Sequence, residues 1–74
     1  MEAEVISLIA ETLEIKKEDI TRNTNLIKDL DIESLDLVDL VVAFENKYNL
    51  DMPDKDIKNL QTVDDIIKYL ESNV

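Results

Sequence analysis

The sequence predicts an all-α fold, a small four-helix bundle of three main helices and one short helix with a long first loop. Three observations predict it. Apolar residues recur at spacings of three and four in three separate stretches. The tract between the first two, residues 16–33, loses that period. The single proline, Pro53, breaks the chain before the last stretch. Seventy-four residues make one domain, 1–74, with no internal repeat or linker. A chain of this size buries only about 60% of the surface its unfolded form exposes, so its core supplies no more than about 3–5 kcal/mol of net stability.

In residues 3–15, Val5, Ile6, Ile9 and Leu13 fall on one face of a first helix. In "KKEDITRNTNLIKDLDIE" the Thr, Asn and Asp residues favour local side-chain to backbone bonds over a continuing helix. A connection this long is more often functional than idle, and Ile20, Leu26, Ile27 and Leu30 are expected to tack it onto the core. The second helix starts at Ser34, because Leu37, Leu40 or Val41, Phe44 and Tyr48 repeat over four turns, and Asn49 can take the left-handed conformation that ends it. The alternation in "DLDIESLDL" also suits a strand, but continuation of the stripe to Tyr48 decides for the helix. After Pro53 there is room for a turn or two of helix starting near Asp54. "TVDDIIKYLESN" opens with a capping box, Thr62 and Asp65, and is expected to bury Val63, Ile66, Ile67 and Leu70.

Composition narrows the function. There is no cysteine, so disulfides and thiolate metal sites are excluded. There is no histidine, which removes the usual proton carrier near neutral pH; no catalytic and no metal-ligating residues are assigned. Eighteen acids against eight bases give a net charge of −10, which repels nucleic acid and anionic lipid and steers the molecule toward basic partner surfaces. The first fifteen residues carry acids where a signal peptide carries Lys or Arg, and no apolar run approaches the ~18 residues of a spanning helix. The expectation is a cytoplasmic monomer, without membrane insertion, that other proteins handle.

The informative stretch is "KDLDIESLDLVDL", residues 28–40, where one hydroxyl, Ser34, interrupts a run of carboxylates. Serine is a preferred helix N-cap, and capping alone would account for it. A hydroxyl at a helix N-terminus also presents an oxygen where free N–H groups and the dipole favour an attached anion such as a phosphodiester. Asp29, Asp31, Glu33, Asp36 and Asp39 against Lys28 form either a plain solvated face or an acidic recognition surface. A calcium loop does not fit, because the sixth position lacks glycine and the twelfth is Leu40. Nor does any base stand ready to activate the serine. On the second helix Leu35, Val38 and Val42 form a further apolar stripe beside the expected core face; it is either a widening of that face or an exposed patch with acidic edges.

"LDIESLDLVDLVVAFENKYNLDMPD" resembles the acyl carrier protein family, in which Asp-Ser-Leu opens the second helix ahead of alternating acids and apolar residues and a later proline. The resemblance runs the whole chain, to "TVDDIIKYL". It implies that Ser34 accepts a covalent 4′-phosphopantetheine from coenzyme A, transferred by a phosphopantetheinyl transferase (a holo-carrier synthase), and that acyl groups ride on the arm's thiol, with fatty acid biosynthesis the expected pathway. It implies that Glu33 and Asp36 contact basic groups of that synthase. Leu35, Val38, Asp39, Val42 and Glu45 would meet the basic surfaces of acyl-transferring and fatty acid synthesis enzymes. Leu40, Phe44, Ile57 and Leu60 are lining candidates for an acyl pocket between the second and third helices. The departures are Glu33 for the usual Asp, Asp31 for the usual Gly, and Lys55 and Lys58 where acids are common. They leave open a specialised carrier for an amino acid or polyketide intermediate, or an unmodified acidic interaction module.

Overall fold

The computed structural model describes residues 1–73. Among the described residues four helices follow one another: α1 Glu2–Leu13, α2 Ser34–Tyr48, α3 Asp54–Ile57 and α4 Val63–Asn73, with one 3-10 turn at Lys17–Asp19. Each end has a chemical reason. Glu14 closes α1 at φ 57° and Asn49 closes α2 at φ 53°, both in the left-handed conformation that satisfies the last carbonyls. Pro53 fixes the chain at φ −68° ahead of α3. Thr62 and Asp65 form the expected reciprocal box: the Asp65 N–H donates to Thr62 Oγ1 and the Thr62 N–H to Asp65 Oδ2, each at 3.1 Å.

The core gathers Val5 and Ile9 of α1, Leu40 and Phe44 of α2, and Val63, Ile66, Ile67 and Leu70 of α4. These are the faces that the helical spacing predicts. Ile6, Leu13, Leu37 and Tyr48 are only partly covered and pack around the edge.

The segment from Ile15 to Glu33 is held down by its own polar groups. Asn25 Oδ1 accepts from the N–H groups of Ile27 and Lys28 at 3.0 and 2.9 Å, while the Asn25 N–H donates to Asp29 Oδ2 at 2.8 Å. Such Asx turns compete with helix and fold the backbone back on itself. Ile20 and Leu26 are buried as expected, and Leu30 is partly buried. Ile27 is not: it is 56% exposed, because the turn that drives Leu26 inward sends its neighbour out. No strand forms at 29–37, and the extended backbone among the described residues reduces to one isolated antiparallel bridge, Asn25 with Thr62.

Around that bridge runs a backbone seam. The Leu26 N–H donates to Gln61 O at 2.9 Å, the Val63 N–H to Thr24 O at 3.0 Å, and the Asp64 N–H to Arg22 O at 2.8 Å. Arg22 reinforces it, reaching Glu2 at 3.1 Å and Asp64 at 2.6 Å, while Lys68 meets Asp64 at 3.0 Å. One guanidinium therefore ties the loop to the first turns of α1 and α4. Lys68, and then Arg22, hold the Asp64 carboxyl below its ordinary range.

The short α3 hangs from two polar bonds. Glu45 Oε2 accepts from the Met52 N–H at 2.9 Å, and the Tyr69 hydroxyl donates to Asp56 at 2.9 Å. Burial first, and then the Asp56 bond, raise the Tyr69 pKa; burial first, and then the charge of Glu4, raise that of Tyr48. A pKa raised on folding stabilises the fold fully below the unfolded value, near 10.0, and that contribution is lost as pH rises through the folded value. The melting temperature is therefore expected to fall above pH 10. The fall should be smaller for the double variant Y48F/Y69F, and thermal melts across pH 8 to 11 check it; equal slopes for both chains would refute the assignment.

Candidate phosphopantetheine site

The site is built on the first turn of α2. Ser34 is the first residue of the helix, and the N-cap is Glu33, with φ −95° and ψ 171°. This corrects the reading of Ser34 as a cap. Glu33 and Asp36 form the capping box, and the Glu33 N–H donates to Asp36 Oδ2 at 3.1 Å. Ahead of it Asp31 sits at φ 52°, the left-handed conformation that glycine takes without cost and that aspartate tolerates better than most residues.

Because Glu33 does the capping, the Ser34 side chain is left unused. It is exposed, and no side-chain hydrogen bond among the described residues involves it. The first intrahelical bond is that of the Leu37 N–H to Glu33 O at 3.1 Å, so the N–H groups of Ser34 and Leu35 have no helical partner. A cavity of about 400 Å³ opens beside the hydroxyl, walled by Ile27, Ile32, Glu33 and Leu37.

Down the outer face of α2, Leu35, Val38 and Val42 are 75%, 55% and 46% exposed. The stripe is thus a surface patch and not a wider core. Glu33 and Asp39 are exposed beside it, Glu33 while keeping its capping bond, whereas Asp36 and Glu45 are half-buried and engaged by backbone N–H groups. Between α2 and α3 lies a groove of about 360 Å³, lined by Leu37, Val38, Val41 and Val42 on one side, Met52 and Ile57 on the other, with Glu45 and Asp54 at its edge. Of the four lining candidates, Ile57 stands in this groove. Leu60 lines a neighbouring cavity of about 420 Å³, together with Ile57. Leu40 and Phe44 are 1% exposed and belong to the core, one helical face away from the groove. Met52 and Val41 take that place instead. Met52 carries a readable signal, an apolar residue directly ahead of the proline that aims α3.

The phosphopantetheine attachment site family matches residues 3–70. The chain is 40% identical over 73 residues to the acyl carrier protein of Syntrophobacter fumaroxidans, covering 99% of this chain and 90% of that one. The chain belongs to the acyl carrier protein family. The acyl carrier protein of Wolinella succinogenes is 33% identical over 70 residues, covering 95% of this chain and 92% of its own. Among solved structures, a putative acyl carrier protein from Mycobacterium tuberculosis superposes with a TM-score of 0.89 at 26% identity, covering 99% of this chain and 97% of that one. Another from Anaplasma phagocytophilum gives 0.89 at 36%, covering 97% and 85%. As an acyl carrier protein the chain is a carrier and not an enzyme, and its cofactor is phosphopantetheine. It works with a phosphopantetheinyl transferase and with synthesis enzymes. Among the described residues no helix is long and apolar enough to cross a membrane.

The residues fit such a cofactor. An attached phosphodiester needs an accessible hydroxyl and donors for its charge, and the first turn of α2 offers a free hydroxyl beside two N–H groups without helical partners.

Proposed function

We propose that Ser34 is the attachment point and that the chain carries acyl intermediates, in fatty acid biosynthesis, on an arm bound there. The observation that supports this is the exposed Ser34 hydroxyl at the start of α2, relieved of capping duty by Glu33. When bound, the arm supplies a terminal thiol on which acyl groups are held as thioesters. The chain's own residues do the rest. Ser34 has no base within its hydrogen bonds, so its proton must be taken by a group on the transferase. The capping box holds the first turn, which fixes where the Ser34 side chain leaves the backbone. Leu35, Val38 and Val42 form the apolar centre of a docking face, with Glu33 and Asp39 meeting basic side chains at its rim.

Intact mass spectrometry tests the attachment. Incubated with coenzyme A and a phosphopantetheinyl transferase, the native chain is expected to gain one phosphopantetheine and Ser34→Ala none. An alanine variant that still gains the mass, or a native chain that gains none with several transferases, would overturn the reading.

A further inference from the structure

Two clefts share a wall but carry opposite charge. Leu37 and Ile57 line both the groove between α2 and α3 and the neighbouring cavity of about 420 Å³. The groove has Glu45 and Asp54 at its edge and no cation. The neighbouring cavity has Lys28 and Lys58 and no carboxylate. In a chain with 18 acids and 8 bases, two lysines around one carboxylate-free cavity are the reverse of what composition alone would distribute. Neither lysine forms an ion pair among the described residues, whereas Arg22 and Lys68 are paired. Ile27 and Leu37 line this cavity and also the one beside Ser34, so the two adjoin and a chain attached at Ser34 starts next to it. The size lies within the range of pockets that enclose small ligands, about 300–1,000 Å³.

We propose that this cavity seats the far end of an acyl chain that itself ends in a carboxylate, an ω-carboxyacyl cargo, with Lys28 and Lys58 as its counter-charges. The inference rests on Ser34 as the attachment point and adds a cargo class to it. A neutral acyl chain gains nothing from the lysines, while a carboxylate entering the groove instead would face Glu45 and Asp54. Both lysines are exposed, so each favours the charged cargo by about fivefold at most, and salt weakens the preference.

The test compares two pantetheine arms, one carrying a suberyl group and the other its methyl ester, which has the same chain without the charge. Each arm is loaded enzymatically on Ser34 and, separately, by alkylation of the S34C variant, whose thiol is the only one in the chain. Backbone amide shifts are recorded for each. The suberyl arm is expected to shift Ile27, Lys28 and Lys58 more than the ester does, with the difference lost in K28Q/K58Q and reduced in high salt. Equal shifts from the two arms, or a difference that survives K28Q/K58Q, would overturn the proposal. Equal shifts at the lysines in the enzymatically loaded chains that are absent from the alkylated ones, which lack the phosphodiester, would show that these residues serve the phosphodiester instead. Failure to load Ser34 enzymatically would sink the attachment reading alone, because the alkylated chains still report on the cavity.

Discussion

Phe44→Ala is expected to leave the chain without a cooperative thermal transition at room temperature. Phe44 is 1% exposed, and its ring stacks on Tyr48 with centroids 6.5 Å apart, on the α2 face that enters the core. Truncating a buried Phe costs about 3–5 kcal/mol, through lost transfer energy and the cavity left behind. That equals the whole net stability, about 3–5 kcal/mol, that a core this small can supply. No disulfide lowers the entropy of the unfolded chain, since there is no cysteine. Melts followed by circular dichroism decide it. Leu35→Ala, at 75% exposure, serves as the control and should shift stability by less than about 0.5 kcal/mol. A clear sigmoidal transition for Phe44→Ala at the native temperature would show that the core tolerates the loss.

Association with a basic partner should depend steeply on salt. The net charge of −10 gives the molecule a long-range field, and the exposed acids Glu33 and Asp39 sit beside the apolar patch on α2. Raising ionic strength from 0.1 M to 1 M shortens the screening length from about 10 Å to about 3 Å. The association rate with a phosphopantetheinyl transferase is then expected to fall about ten- to hundredfold, with the dissociation rate nearly unchanged. Stopped-flow mixing across a salt series measures both rates. Asp39→Lys should slow association at low salt and leave the fold alone. Asp36→Lys should also weaken the start of α2, because Asp36 accepts the Glu33 N–H. An association rate indifferent to salt would mean that the apolar patch, and not the field, governs the encounter.

Helical spacing carried most of the fold, because each long helix buries one face and the residues on that face recur at that spacing: Val5 and Ile9, Leu40 and Phe44, Ile66, Ile67 and Leu70. The end of α2 was also readable, since Asn49 is among the few residues that take positive φ readily. Three features were hidden. Ile27 looked like an anchor because its apolarity is plain, while its direction is set by the Asn25 turn next to it. Ser34 looked like a cap because serine caps more often than glutamate does, although the box spacing runs from Glu33 to Asp36. Arg22 and Asp64 are 42 positions apart, and no local pattern joins them. At the site, the exposed stripe could be suspected, but only three-dimensional packing tells the groove wall at Val41 and Met52 from the core at Leu40 and Phe44.

The seam between the first loop and α4 bears on how the molecule is made. The Ile32 N–H donates to Leu26 O at 3.4 Å, and Leu26 is itself fastened to Gln61. The turn that leads into Ser34 is therefore completed by residues more than twenty-five positions further along the chain. On the ribosome the loop's own turns around Asn25 can form early, while its attachment to the far side of the fold awaits the emergence of the 61–64 segment. A transferase that requires the anchored turn would then act on the carrier only after the 61–64 segment has emerged.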